Sequence, residues 1–370
     1  MQLDFLLNYI PFISSFLILF SIYLIMSLSL NLEYGYAGVP NFGHVFFMSI
    51  GAYVAGVLTA RALDFFSGST AGYCSGQAAN IRGDFAAAHP EISLGLFVIS
   101  LILGAIIGGL FGYVGAYPAL RLKEDFLAIT LIFIGEIGRI IARNEDWLVC
   151  GLTGLTGVAN PFKWIDNVHL RSIIYTALVL AFAVLIYIYT ERLVQSPYGR
   201  LLKSIRDDEI AAMALGKEVP KIRGLVMIIG SSLAAIAGVL RTFYLQSVVA
   251  DDFLPLVTFI VLSMVILGGM ANNKGVIIGT LIMMILDMFI SPSFFAMMGI
   301  IVEFDITYLK YVLIGVIIIL VLMFRPEGII PEGPVKTPAV ELSMQAEEEV
   351  EKAVQELIEF KKQKESQSES

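Results

Sequence analysis

The sequence predicts an all-α protein that crosses a membrane many times. Of its 370 residues, 57% are hydrophobic and only 15% are charged, and the mean hydropathy is +0.82. Soluble domains carry about 25% charged residues. Apolar runs of helical length recur along the chain, whereas the alternating strand pattern of an outer-membrane barrel does not. These observations predict a polytopic bundle of about 8–10 transmembrane helices.

The predicted membrane domain covers residues 1–330. Crossing a bilayer takes roughly 20 apolar residues, so runs of about 15 indicate half-helices or tilted elements. The first run begins near Phe5 without a basic region and is predicted to be a retained span, not a signal peptide. The predicted segments are residues 9–31, 42–61, 92–117, 126–141, 171–190, 222–246, 254–269, 275–290 and 309–325.

Basic residues predict how these spans are oriented. The largest cluster of Lys and Arg lies in residues 191–223, which are therefore expected in the cytoplasm. Alternation then places residues 62–91, 142–170 and 291–308 outside, and leaves the side of the N-terminus open. The tail, residues 331–370, is acidic and is expected to be cytoplasmic and partly helical. It fits either a helix that docks on a partner or a solvated helix.

Both cysteines, Cys74 and Cys150, fall in loops that are predicted to face outside. Disulfides persist in oxidising compartments. The sequence is compatible with a disulfide between them and equally with two unpaired thiols.

The cytoplasmic loop of residues 191–221 contains a predicted short helix that is too polar to span. Ser196 is a suitable N-cap, Pro197 suits the first helical position, and Gly216 is a suitable C-terminal stop. Leu201, Ile205, Ala212 and Leu215 form an apolar stripe at helical spacing. This helix fits a surface connector of mixed charge, or a helix that enters a groove of another protein.

Two apolar regions are interrupted by glycine and polar residues. A backbone without helical hydrogen bonds is tolerated at membrane depth only where it is buried in protein or lines a cavity. Paired interruptions in a transporter indicate its translocation path. The alternative is that both interruptions are ordinary surface loops, and Lys274 favours this for the second. For His44, the alternative is a hydrogen bond to a backbone carbonyl, which is common for a lone histidine on an apolar helix. The candidate path residues are Tyr34, Gly35, Gly38, Asn41, Gly43 and His44 in the first interruption and Gly268, Gly269 and Asn272 in the second.

A polar pair, Glu136 and Arg139, lies within the predicted span of residues 126–141. Residues three apart on a helix share a face, so the two side chains can pair. Ionisable residues in a span usually face the protein interior. The pair fits an ion pair beside the path, or two side chains near the outer interface.

Six segments together resemble the permeases of branched-chain amino acid ABC importers, and the second of them resembles the M-type of the two homologous permeases. They follow one another between about residues 27 and 330. Ser204 departs from the alanine that is usual in the family. The segments read "SLNLEYGYAGVPNFGHVFFMSIGAY", "YPALRLKEDFLAITLIFIGEIGRI", "LTGLTGV", "SPYGRLLKSIRDDEIAAMALG", "VILGGMANNKGVIIGT" and "FRPEGII".

The resemblance implies a permease subunit in the cytoplasmic (inner) membrane that imports branched-chain or other hydrophobic amino acids. Its implied partners are an H-type permease, two ATP-binding cassette ATPases and an extracytoplasmic binding protein, with ATP and Mg bound by the ATPases. Urea or short amides are alternative substrates. The resemblance assigns coupling to the ATPase to Gly199, Arg200, Arg206, Asp207, Asp208, Glu209, Ala211, Ala212, Leu215 and Gly216.

Other functional classes have weaker support in the sequence. The only Gly-Lys dipeptide, Gly216-Lys217, lacks the surroundings of a phosphate-binding loop. No zinc-protease motif occurs, so no enzymatic activity and no cofactor are expected in this chain. An ion-coupled transporter would need acidic residues deep in its spans, and Glu136 and Asp287 are the candidates that the sequence suggests.

Overall fold

A computed structural model describes residues 2–119, 124–290 and 323–333, and isolated positions between 312 and 321. The predicted loop of residues 291–308 and the acidic tail beyond residue 333 lie outside the described residues. The predicted span of residues 309–325 does so in part.

The described chain is helical apart from two two-residue strands, which confirms the predicted all-α class. Shorter turns of π-helix and 3-10 helix connect some elements. The elements in chain order are α1 (Gln2–Leu30), α2 (His44–Ser67), α3 (Gly76–Ala88), α4 (Pro90–Ala119), α5 (Glu124–Asn144), α6 (Asp146–Val149), β1 (Leu155–Thr156), α7 (Val168–Gln195), α8 (Pro197–Asp207), α9 (Glu209–Ala214), α10 (Val219–Leu245), β2 (Ser247–Val248), α11 (Pro255–Gly268) and α12 (Asn273–Phe289).

Five helical segments among the described residues are long and apolar enough to cross a membrane. They are Ile10–Tyr36, His44–Ser67, Pro90–Tyr117, Val168–Gln195 and Val219–Leu245. Two of the shorter predicted segments are short helices here as well: α11 has 14 residues and α12 has 17. The third, residues 126–141, lies in α5, which has 21 residues. Helices of this length cross a bilayer only in part or when supported by protein.

Close packing of α10 against α2 and α4 forms the centre of the bundle. A Cβ atom on Gly238 would lie 1.9 Å from the carbonyl oxygen of Met48, and one on Gly51 would lie 2.0 Å from that of Ala235. Small residues let helix backbones approach each other closely, which is how membrane helices associate when lipid offers no hydrophobic driving force. The outer face of α4 exposes large aliphatic side chains such as Ile102 and Ile106, as expected for contact with lipid.

One end of the bundle, here called the disulfide end, carries the connections on either side of α3. The region of residues 62–91, expected as a loop, contains helix α3. Arg82 on α3 is fully buried and forms two hydrogen bonds with Asp64, of 2.6 and 2.7 Å. Cys74 and Cys150 are joined in a disulfide with their Cα atoms 5.5 Å apart. β1 and β2 pair in antiparallel register nearby, with Leu155 opposite Val248.

The other end carries α8 and α9, after the 28 residues of α7, which rise roughly 42 Å. The single helix expected between Ser196 and Gly216 is wrong, because the chain forms two helices that break at Asp208. Asp208 has an extended backbone (φ −152°, ψ 100°), and its side chain accepts a 2.9 Å hydrogen bond from the amide of Ala211. A short acidic side chain that caps the next helix competes with continuation of the first.

Replacing both Cys74 and Cys150 with serine is expected to lower the free energy of unfolding by about 4 kcal/mol, because the bridge closes a long loop in the unfolded chain. The measurement is the thermal unfolding midpoint of the detergent-purified protein. Wild-type protein treated with reductant should shift equally. An unchanged midpoint in both samples would show that the bridge does not stabilise this end.

Candidate functional site

The first interruption is a buried deviation of the backbone between α1 and α2. The helix widens to a π-helix over Asn31–Tyr36 and then turns before His44. The amide of Val39 donates to the carbonyl oxygen of Glu33 at 2.8 Å, and Gly38 takes a positive φ of 69°. Almost all residues of this interruption are buried. The backbone therefore leaves the helical pattern inside protein, which is where such a departure is tolerated.

A buried polar cluster surrounds the Glu33 carboxylate. Glu33 Oε2 accepts a 2.8 Å hydrogen bond from Asn41 Nδ2 and lies 3.1 Å from His44 Nδ1. All three residues are fully buried. Gly230 on α10 leaves room for the carboxylate, since a Cβ atom there would lie 2.1 Å from Glu33 Oε1. A carboxylate removed from water needs such partners, because burying it without them is very unfavourable.

Sequence reasoning missed Glu33 as a functional candidate, and considered only Glu136 and Asp287 as acidic residues deep in spans. Glu33 and His44 are 11 positions apart and meet only because the chain reverses between them. Helical periodicity does not bring such a pair together. The alternative expectation is that His44 bonds to a backbone carbonyl. This does not hold for Nδ1, whose partner is the Glu33 carboxylate. The signal in the sequence that could have identified Glu33 was its position beside the glycine residues of the first interruption.

The second interruption lies between α11 and α12. Gly269 has a φ of 116° and Ala271 a φ of 56°. Asn272 caps α12 by accepting hydrogen bonds from the amides of Lys274 and Gly275, and its amide donates to the carbonyl of Pro331 at 2.9 Å. The Asn272 side chain therefore stabilises the backbone of this interruption through three hydrogen bonds.

The described segment that contains Ile329 and Ile330 supports this second interruption. The amides of Ile329 and Ile330 donate to the carbonyls of Leu267 and Gly268, both at 3.0 Å. These carbonyls belong to the last turn of α11, where helical partners run out. The "FRPEGII" segment therefore completes the backbone hydrogen bonds at the end of α11.

The two interruptions contact each other through Asn31. Its Oδ1 accepts a 2.9 Å hydrogen bond from the amide of Ala271, and its Nδ2 donates to Asn273 Oδ1 at 3.0 Å. Asn273 in turn donates to Glu191 at the end of α7 at 2.9 Å. A Cβ atom on Gly35 would lie 2.2 Å from Asn31 Oδ1 and 2.7 Å from the Ala271 nitrogen. We call this contact the joint; the sequence did not indicate that the interruptions meet.

Three other predicted glycines lie where a side chain does not fit. A Cβ atom on Gly43, Gly199 or Gly268 would come within 2.3 Å of a backbone carbonyl oxygen. Gly216 ends the α9 region with a φ of 75°. Tyr34 is partly buried and its ring packs edge-on against Phe42, with centroids 6.3 Å apart.

The predicted coupling residues divide into an outward and an inward set. Glu209 pairs with Arg223 at 3.0 Å, Ala212 is buried, and Arg206 turns inward to donate a 2.8 Å hydrogen bond to the carbonyl of Gly35. Burial raises the pKa of the Tyr198 phenol to about 12, so that phenol is neutral on α8. Gly199 is buried as well. The other six predicted residues are exposed: Arg200, Asp207, Asp208, Ala211, Leu215 and Gly216.

The Glu136 and Arg139 side chains form a two-point ion pair that extends to a third residue. Arg139 Nε donates to Glu136 Oε2 at 3.0 Å, and its Nη1 donates to Asp251 Oδ1. The Arg139 side chain is 10% exposed and that of Glu136 is 32% exposed. Asp251 lies in the turn Ala250–Phe253, 112 positions from Arg139, so spacing along the chain did not reveal it.

Within the part of the chain that the structure describes, no group of three or more His, Cys, Asp or Glu side chains is placed to hold a metal ion.

Replacing Glu33 with alanine is expected to lower the free energy of unfolding by about 2–5 kcal/mol, since Asn41 and His44 lose a buried acceptor. The readout is thermal unfolding in detergent. Asp84→Ala removes an exposed carboxylate and is the matched control. Equal midpoints for the two variants would contradict a stabilising role for the cluster.

Comparisons with known proteins agree with the resemblance found in the sequence. A profile of the family described as "Branched-chain amino acid transport system / permease component" matches residues 12–322. No solved structure matches the chain.

Three relatives cover most of this chain. It is 35% identical to the probable branched-chain amino acid transport permease protein LivM of Methanocaldococcus jannaschii, over 89% of this chain and 96% of that protein. It is 24% identical to the high-affinity branched-chain amino acid transport system permease protein LivM of Salmonella typhimurium, over 84% of this chain and 68% of that protein. It is also 26% identical to the probable permease protein LivH of M. jannaschii, over 69% and 72%.

The match spans the helical bundle, both interruptions and the α8–α9 end. The chain is therefore a multi-pass membrane protein that belongs to the family of permease components of branched-chain amino acid transport systems.

Proposed function

We propose that this chain is one permease subunit of an ATP-driven importer that moves branched-chain or other hydrophobic amino acids across the cytoplasmic membrane. Partner subunits bind and hydrolyse ATP with Mg. The observation that carries the proposal is the joint: two interrupted helical segments meet inside the bundle, as expected at a translocation path. The names of the LivM and LivH relatives supply the substrate class.

The proposed path follows the first interruption and the joint. Asn41 and His44 supply polar groups there, and Glu33 holds both in position. The surrounding side chains of α1, α2 and α10 are mostly apolar. A path with few polar groups and apolar walls suits an amino acid whose side chain is aliphatic.

The α9 region offers a surface for the ATPase. Ile210, Met213 and Leu215 are 76%, 47% and 78% exposed, in a short element between polar residues. Adjacent exposed apolar side chains on a polar surface are typical of a protein contact. The basic residues of this region favour a cytoplasmic location, which is where an ATPase operates.

The disulfide end is then extracytoplasmic, where an oxidising environment preserves the Cys74–Cys150 bridge. Its ordered connections, braced by Arg82, offer a rigid surface for the substrate-binding protein. The relative named LivH supports a homologous second permease as the partner within the membrane.

The proposed function is tested by reconstituting the chain with a LivH-type permease, two ATPase subunits and the binding protein in vesicles. Uptake of labelled leucine is expected to require ATP, and unlabelled isoleucine and valine should compete with it, whereas urea should not. Uptake that follows an ion gradient without ATP, or competition by urea or short amides alone, would contradict the proposal.

Replacing Leu215 with aspartate is expected to reduce co-purification of the ATPase subunits about tenfold or more, because the charge cannot enter an apolar contact. Leu152→Asp changes an exposed leucine at the opposite end and should leave the ATPases bound. Glu209→Lys should also weaken the complex, since it repels Arg223 and releases α9. Full assembly with Leu215→Asp would place the ATPase contact elsewhere.

A further inference from the structure

Helix α8 lies directly against the first interruption. Arg206 Nη1 donates a 2.8 Å hydrogen bond to the carbonyl oxygen of Gly35. Lys203, one turn earlier, has its Nζ 5.5 Å from the centre of the Tyr36 ring. The backbone of Gly38 packs on the same arginine, since a Cβ atom there would lie 3.0 Å from Arg206 Cγ. Three points of α8 therefore touch the segment that departs from helical geometry.

The carbonyl of Gly35 needs this arginine because its helical donors are absent. In a continuous α-helix, the amide of Val39 would bond to it, but that amide bonds to the Glu33 carbonyl at 2.8 Å. In a continued π-helix the donor would be residue 40, which is a proline without an N–H group. Gly35 is buried, so its carbonyl requires a partner inside the protein. The guanidinium of Arg206 supplies it.

The same glycine faces the joint on its other side. Its Cα packs against Asn31 Oδ1 and the Ala271 nitrogen, which are the atoms that connect the two interruptions. Gly35 thus lies between α8 and the joint with little free space. A displacement of α8 must either move Gly35 with it or break the hydrogen bond from Arg206.

Helix α8 is itself held to the exposed α9 region. Asp208 ends α8 and caps α9, and Glu209 pairs with Arg223 at the start of α10. A partner that binds the exposed Ile210 and Leu215 therefore acts on α8 over a short connection.

We propose that Arg206 is a positioning residue that transmits movement of the α8–α9 end to the first interruption and the joint. This inference rests on the proposed function, because it needs an ATPase that moves α9. It assigns Arg206 to the inside of the permease and not to the ATPase contact. Arg206 Nη1 reaches inward to Gly35, while Nε and Nη2 donate to the exposed carboxylate of Asp207. The inward bond distinguishes Arg206 from the exposed Arg200 on the same helix.

The first test uses the purified full-length chain without its partners. Arg206→Met keeps the aliphatic stem and removes the donors, and is expected to accelerate amide hydrogen exchange in residues 34–43 about tenfold. Arg206→Lys retains one donor and should give an intermediate rate. Arg192→Met changes an exposed arginine near the same end and should leave these rates unchanged. Equal exchange in all of the proteins would overturn the proposal.

The second test uses the complete complex and measures leucine taken up per ATP hydrolysed. With Arg206→Met, the ATPase subunits should stay bound and hydrolyse ATP, while uptake per ATP falls about fivefold or more, and Arg206→Lys should restore most of it. A merely structural role would not change this ratio while assembly and ATP hydrolysis persist.

The outcomes separate this inference from the proposed function. If Arg206→Met releases the ATPases, or takes up as much leucine per ATP as the wild type, the inference is wrong and the proposed function stands. If the wild-type complex takes up leucine without consuming ATP, the proposed function fails, and the transmission role of Arg206 fails with it.

Discussion

The structure depends on how the buried backbone between α1 and α2 obtains its hydrogen bonds. A departure from helix at this depth exposes amides and carbonyls where no water can reach them. The amide of Val39 donates to the carbonyl of Glu33, and the guanidinium of Arg206 donates to the carbonyl of Gly35. The side chain of Asn31 accepts a hydrogen bond from the amide of Ala271. Each partner comes from a different element. The break is therefore connected at once to α8 and to the second interruption, and neither can move without affecting it.

The polar groups of the bundle follow the same constraint. Glu33 would be costly alone in an apolar interior, but Asn41 and His44 lie within hydrogen-bonding distance of its carboxylate. Arg139 is likewise matched by Glu136 and Asp251. The first cluster is fully buried near the joint, whereas the second is partly exposed toward the disulfide end. Because of that difference, the Glu33 cluster is the candidate for the path. The Arg139 cluster instead connects α5 to the turn at Ala250–Phe253.

The two ends of the bundle differ in how their connections are held in place. At the disulfide end, a covalent bridge and the buried Arg82–Asp64 pair hold the connections in one arrangement. At the other end, α8 and α9 meet at Asp208, share a small buried cluster that contains Ile205 and Ala212, and carry exposed apolar side chains. This difference is the reason why the binding protein is proposed to dock at the disulfide end and the ATPase at the α8–α9 end.

Apolar run length, glycine and proline spacing and ordered motifs are local properties, so the sequence was sufficient to predict the helical membrane class, the two interruptions and the family. It placed Ser196 correctly as a helix cap. It did not reveal the break at Asp208, helix α3, or the roles of Glu33, Asn31 and Asp251. The roles of Glu33, Asn31 and Asp251 depend on residues from 8 to 242 positions apart meeting in space, whereas the break at Asp208 follows from a local helix cap. The contact between the two interruptions and the bond from Arg206 to Gly35 appear only in the folded chain, because the packing of α8 and α11 against the break sets those contacts.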